Sequence, residues 1–240
     1  MFATGVKPVV EVQFADYIYP GFNQLVTEIS KSCYLSCGKF PVQTLIRIPV
    51  GAYGGGGPYH SGSIETTLLS IKGIKLVYPS NAADMKGLMK AVFLDPNPVV
   101  MLEHKGPYWS KVPGTEDVKR PEPTRDYILP LGKAGIVQEA RADRIRDGKT
   151  CCVITYGMGV YATAAKHGKC LVLTEEPQNN SFAEALAGRI SRNCWSWLDA
   201  PVEVMGALNL PAVPMNILLE KAMLPGPEKV SAAIGRLLGA

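Results

Sequence analysis

Short apolar runs rich in β-branched residues alternate along this chain with stretches of helical periodicity. That alternation points to an α/β layer built on a parallel sheet. Val9 to Phe14 reads as a strand, opening directly after Lys7-Pro8. Gly21 to Ser32 carries Phe22, Leu25, Val26 and Ile29 at the spacing of an amphipathic helix. Gln43 to Val50 is largely apolar, as a strand covered on both faces should be. A glycine-rich stretch, Gly51 to Gly62, follows it, and Ile64 to Leu69 is a short helix. Ile74 to Tyr78 is a third strand. Asn81 then caps a helix over Ala82 to Leu94, with Asp84 at its positive end. Asp95-Pro96-Asn97-Pro98 stops that helix, because proline cannot continue it, and Val99 to Glu103 is a fourth strand.

The 240 residues are enough for one large domain or two ordinary ones. The character changes over 106–130, where Pro107, Pro113, Pro121, Pro123 and Pro130 punctuate a polar stretch without periodicity. The expected organisation is a domain over 1–105, a linker over 106–130 and a second, smaller α/β domain over 131–240. Strands are expected in the second domain at Gly135 to Glu139, Cys151 to Tyr156, Cys170 to Thr174 and Val202 to Gly206. Helices are expected at Ser181 to Asn193 and Pro227 to Leu238.

Several functions are disfavoured. The 25 basic and 21 acidic residues are scattered, so nucleic acid is not an expected partner. No apolar run approaches ~18 residues, so no membrane span is expected. Cys33 and Cys37 have no matching second pair, which argues against zinc; Cys151 and Cys152 read as core residues. Reduced cysteines and the lack of a signal-peptide layout at Met1 to Gly5 suit an intracellular protein. The glycine-rich loop lacks the Gly-Lys-Ser/Thr ending of a phosphate loop and the spacing of a dinucleotide fingerprint. It ends on His60, at a strand end where α/β sheets collect ligands. An imidazole there can move protons; the plainer alternative is a ring that only ties the turn.

Taken in order, these segments resemble the β subunits of thiamine-diphosphate-dependent 2-oxoacid dehydrogenases, most closely the forms with α-like and β-like parts fused. Pro8 to Tyr17 is similar to their R-P-x-x-E-x-Q-F-x-D-F stretch, and Gly51 to Ser61 to their glycine loop ending in His-Ser. Gly73 to Ser80, Asp84 to Leu88, Asp95 to Glu103 and Tyr127 to Ala134 resemble the segments that follow in that family. The resemblance implies an α/β fold of two domains with mainly parallel sheets: a transketolase-like pyrimidine-binding domain, then a transketolase C-terminal-like domain. It implies thiamine diphosphate between two chains or halves, with magnesium held by the α-type partner. It also implies homo-oligomerisation and transfer of an acyl group to lipoyl-lysine on a dihydrolipoyl acyltransferase. Tyr17 takes the place of an aromatic against the aminopyrimidine, Gln13 lines the same pocket, and His60 takes the active-site histidine position. Without the resemblance, Tyr17 is equally a core aromatic and Gln13 a strand polar residue. Val92, Asp95 and Asn97 match a potassium site; a helix-ending turn explains them equally well. The implied location is the cytoplasm, or the mitochondrial matrix in a eukaryote.

Two departures stand out. The glutamate that pairs with the aminopyrimidine in the family lies upstream of its counterpart to Pro8, and the chain starts at Met1. After Val160 the family has a further helix and strand, whereas here Tyr161 to Lys166 leads straight to His167 and Cys170. The missing glutamate, together with the absent diphosphate-binding half, favours an alternative in which the chain is an inactive assembly module. A transketolase or deoxyxylulose-phosphate synthase relative is another; it would need basic residues near the loop, where only Lys72 and Lys75 are available.

Overall fold

The computed structural model describes residues 2–109, 115–157 and 168–239. They form two compact units, Met1–Lys133 and Ala134–Ala240, each with its own parallel sheet. The α/β class with mainly parallel sheets is the one expected. No helix among the described residues is long and apolar enough to cross a membrane.

The first unit is built on β1 (Val9–Glu11), β2 (Leu45–Val50), β3 (Lys75–Val77) and β4 (Val99–His104), in the order β1-β2-β4-β3. The central register sets Leu45 against Val99 and Val50 against His104. Side-chain alternation divides these strands between two cores. Ile46, Ile48, Val50, Val100 and Leu102 pack with Ile18, Leu25, Ile64 and Leu68 on one face. Leu45, Val99 and Met101 pack with Val92, Met85 and Leu88 on the other.

The helices of this unit are α1 (Tyr19–Gln24), α2 (Ser32–Leu35), α3 (Glu65–Leu69), α4 (Ala82–Leu94) and α5 (Lys105–Trp109). The single helix expected over Gly21 to Ser32 is interrupted by a π-turn at Leu25–Ile29. The Thr27 and Ser30 hydroxyls hydrogen-bond back to the carbonyls four residues earlier, which is how such residues compete with a regular helix. The helix over Ala82 to Leu94 has the expected bounds. Asn81 Oδ1 accepts from the Asp84 N–H at 2.9 Å, and its amide donates to the Asp84 carboxylate at 2.7 Å. Residues 122–129 lie along α4: Lys86 binds Glu122 and the Pro123 carbonyl, and the Leu129 N–H donates to the Gly87 carbonyl at 3.2 Å. Leu131 joins the core beneath α4.

The second unit contains β5 (Cys152–Ile154), β6 (Cys170–Pro177) and β7 (Glu203–Ala207), in that spatial order. Its helices are α6 (Ala142–Arg146), α7 (Phe182–Cys194), α8 (Ile217–Met223) and α9 (Pro227–Gly239). Cys170 and Val172 face α7, while Leu171 and Leu173 face α9. Gly135 to Glu139 is not a strand; Ile136 and Val137 are exposed. A strand needs a neighbour for its N–H and C=O groups, and none of the three described strands of this sheet pairs with that segment. The junction after Val160, where the sequence looks shortened, falls within 158–167, outside the described residues.

Candidate active site

All four strands of the first sheet run parallel, so their carboxyl ends share one edge, and the candidate residues gather there. β1 leads through a bend at Gln13 into Phe14 and a 3-10 turn, Ala15–Tyr17. β1 is shorter than the expected strand, which places Gln13 just beyond its end, exposed. β2 leads into the glycine-rich loop, and β4 into His104 and Lys105.

The loop is closed at its base. The Gly51 N–H donates to the Gly62 carbonyl at 3.1 Å, and the Gly62 N–H donates to Asp16 Oδ2 at 3.0 Å. Glycine is required at Gly51, where φ is +91° and a Cβ would lie 2.1 Å from His104 Nε2. The loop's last turn, Gly57–Tyr59, then delivers His60 to the surface beside the β1 exit.

His60 and Tyr17 meet there. Tyr17 Oη lies 3.3 Å from His60 Nε2, and His60 Nδ1 lies 3.3 Å from the Gly56 carbonyl oxygen. A carbonyl only accepts, so Nδ1 carries the proton in this arrangement and Nε2 accepts from the tyrosine hydroxyl. Phe14 meets the imidazole edge-on at 4.8 Å, and Lys105 Nζ lies 5.1 Å from the Phe14 ring centroid. Tyr17 is 46% exposed and Tyr59 68%. These rings suit a planar heteroaromatic group such as an aminopyrimidine, by stacking and edge contacts, with a proton-carrying imidazole beside it. Gln13 is exposed at the same exit, within the same short segment as Phe14 and Tyr17.

Val92, Asp95 and Asn97 are together, in a helix-ending turn. The Asp95 N–H donates to the Val92 carbonyl at 3.1 Å, and Asp95 Oδ1 accepts from Asn97 N and Nδ2 at 2.9 Å each. Asp95 Oδ2 is 2.6 Å from Lys75 Nζ. Burial opposes ionisation of Asp95, but the bonds from Lys75 and Asn97 outweigh it and hold the carboxyl below its usual range. The Lys75 ammonium therefore already faces the Asp95 carboxylate. Among the described residues, no group of three or more His, Cys, Asp or Glu is placed to hold a metal ion.

Sequence reasoning did not single out the residues that support this edge. Glu103, 2% exposed, receives Arg47 through two bonds, Nε to Oε1 at 2.6 Å and Nη2 to Oε2 at 2.7 Å, and the Tyr108 hydroxyl donates to it as well. The Glu103 bond raises the Arg47 guanidinium further above its ordinary value, against the opposing effect of burial. Burial first, and then Glu103, pushes the Tyr108 phenol up. His104 is 3% exposed and its Nδ1 accepts from the Gly106 N–H at 3.0 Å. Glu103, His104 and Tyr108 border a cavity of about 290 Å³ with Ser80, Asn81 and Met85. One signal was available: charged and imidazole side chains ending a run of apolar residues, Val99 to Leu102.

Comparison with known proteins agrees with this geometry. Residues 1–109 match the transketolase pyrimidine binding domain, and residues 159–230 the transketolase C-terminal domain. The 2-oxoisovalerate dehydrogenase subunit beta of Bacillus subtilis (strain 168) is 32% identical over 266 residues, covering 97% of this chain and 77% of the relative. That alignment is longer than the 240-residue chain, so part of the relative has no counterpart here. The mitochondrial 2-oxoisovalerate dehydrogenase subunit beta 2 of Arabidopsis thaliana is 33% identical, covering 97% of this chain and 69% of the relative. The pyruvate dehydrogenase E1 component subunit beta of Acholeplasma laidlawii is 30% identical, covering 99% and 77%. A solved structure described as a split gene transketolase, inactive beta4 tetramer, shares the fold with a TM-score of 0.65 at 17% identity, covering 98% of this chain and 77% of that one. These relatives favour the dehydrogenase reading over both the sugar-phosphate and the inactive-module alternatives. With the parallel-sheet edge, the aromatic–imidazole cluster and relatives at this level of identity in hand, the chain belongs to the E1 β subunits of the thiamine-diphosphate-dependent 2-oxoacid dehydrogenases.

Proposed function

We propose that the Phe14–Tyr17–His60 cluster is the part of the active site that this chain contributes to a 2-oxoacid decarboxylase. The observation that carries the reading is the Tyr17–His60 contact at the carboxyl edge of a parallel sheet, made by the segments that follow two different strands. Thiamine diphosphate, when bound, supplies the carbanion chemistry by which a 2-oxoacid loses carbon dioxide. Tyr17, Phe14 and Gln13 hold its aminopyrimidine. His60, fixed by the Gly56 carbonyl and the Tyr17 hydroxyl, exchanges a proton at Nε2 as the acyl group passes to lipoyl-lysine.

An α-type partner holds magnesium and the diphosphate, and a dihydrolipoyl acyltransferase receives the acyl group. The chain assembles further through its β-type region, where Val9 and Val10 on the edge strand β1 are exposed. Branched 2-oxoacids are the assigned substrate class, because 2-oxoisovalerate dehydrogenase subunits recur among the relatives. The assigned location is the bacterial cytoplasm or the mitochondrial matrix. Potassium binds at Asp95 only in competition with Lys75.

The test is reconstitution with an α-type subunit and a lipoyl domain. The chain alone should not turn over 2-oxoisovalerate; steady decarboxylation without a partner would contradict the division of the site. In the assembly, His60→Ala should lower acyl transfer by about 10²–10⁴-fold while thiamine diphosphate still binds. His60→Asn keeps a side chain able to hydrogen-bond the turn. Near-normal transfer by His60→Asn would reduce His60 to a structural residue.

A further inference from the structure

The chain has six cysteines, none in a disulfide; four of them, Cys151, Cys152, Cys170 and Cys194, lie in the second unit. Cys152 on β5 and Cys170 on β6 are direct register partners in a parallel pair. Their side chains therefore leave the same face of the sheet, the one covered by α7 through Leu186 and Ile190. Neighbouring strands stand about 4.8 Å apart, inside the roughly 4.4–6.8 Å range of Cα separations that a disulfide spans.

The two sulfurs differ in environment. Cys170 is 4% exposed on the central strand. The neighbouring Cys152 thiol, and then burial, pushes the Cys170 thiol up, so Cys152 attacks first and Cys170 only once Cys152 is held in a disulfide. Cys152 is half-buried on the edge strand β5, where a small reagent reaches it first.

We propose that Cys152 and Cys170 form a reversible dithiol–disulfide site that takes small disulfides of the glutathione class. The Cys152 thiol loses its proton, and its sulfur attacks one sulfur of the small disulfide. The S–S bond of the reagent breaks, one glutathione thiolate leaves and takes up a proton, and a mixed disulfide remains on Cys152. Cys170 then gives up its proton and attacks the Cys152 sulfur, releasing the second glutathione as a thiol. Two protein thiols are oxidised by two electrons, and one small disulfide is reduced to two thiols. Side chains on adjacent parallel strands point side by side, wider than the Cβ separation of about 3.8 Å that a relaxed disulfide prefers. The bond is therefore strained and returns readily to the dithiol under excess reduced glutathione. Closure ties β5 to β6 just before Tyr156, whose hydroxyl lies 2.6 Å from Thr174 Oγ1 on β6.

The experiment uses the full chain with Cys33→Ser and Cys37→Ser, which removes the two exposed thiols of the first unit. The folded protein is incubated with oxidised glutathione and mapped without reduction. The expected result is a crosslinked Cys152–Cys170 peptide that disappears on return to reduced glutathione, accompanied by a shift in melting temperature. Cys170→Ser should stop the reaction at the first step and leave glutathione on Cys152. The proposal is overturned if the folded parent yields no such crosslink, if glutathione accumulates on Cys151 or Cys194 instead, or if the crosslink forms only in denaturant. Should Cys170→Ser fail to fold by circular dichroism, the mapping of the parent decides.

Discussion

Replacing Arg47 by Met should be the most damaging single change among the charged residues of the first unit. Glu103 is 2% exposed, and Arg47 supplies two of its hydrogen bonds and the facing positive charge. Methionine fills much of the same volume but leaves the carboxylate desolvated, with the Tyr108 hydroxyl still donating. Removing one partner of a buried ion pair costs about 3–5 kcal/mol, because the other charge stays behind. The contact from Arg47 to Glu11 adds little to this, since the Glu11 side chain is 57% exposed and solvent screens it. For a unit of this size, that loss lowers the melting temperature by roughly 10–20 °C. The double change Arg47→Met with Glu103→Leu removes both charges, and buried pairs exchanged for apolar residues are often neutral. Its cost should therefore fall well below the sum of the two single changes. Urea denaturation followed by circular dichroism gives all four corners of the cycle. A single Arg47→Met cost under about 1 kcal/mol, or additivity in the double variant, would refute a desolvated, coupled pair.

Gly51→Ala should destabilise the first unit by at least about 2 kcal/mol, since its φ is +91° and the new Cβ would meet His104 Nε2 at 2.1 Å. A stability within a few tenths of wild type would show that the loop re-forms around the methyl group. Asp95, held below its ordinary value, contributes stability that is present above its unfolded pKa of about 3.9 and is lost as pH falls through the lower folded value. Lys75→Met should therefore flatten the acid limb of the stability curve below about pH 4 and lower stability at neutral pH. In the same variant, potassium should raise the melting temperature more than in wild type, because the ammonium no longer occupies the Asp95 carboxylate. Equal responses to potassium in both proteins would remove the competition assigned to this turn.

The sequence by itself determined the features that depend on near neighbours. α4 begins at Asn81, whose side chain answers an N–H three residues on, and ends where Asp95-Pro96 forbids another turn. β2 and β4 are apolar on both faces because both are covered, and their composition alone makes them strands of a parallel sheet. The glycine loop and its histidine were equally legible, since glycine's freedom and a strand-end position are local properties. Tertiary structure decided the rest. Gly135 to Glu139 has the residues of a strand but no neighbour among the described strands to take its backbone bonds, so its exposed Ile136 and Val137 remain in coil. Arg47 and Glu103 lie 56 positions apart, and Tyr17 and His60 lie 43 apart; sheet register and loop closure bring each pair to hydrogen-bond distance. Cys152 reads as a core residue and Cys170 as the start of a strand, and only the pairing of β5 with β6 sets them side by side. A hydrogen bond or a buried charge acts over a few ångströms of space, and the chain specifies that proximity only by folding as a whole.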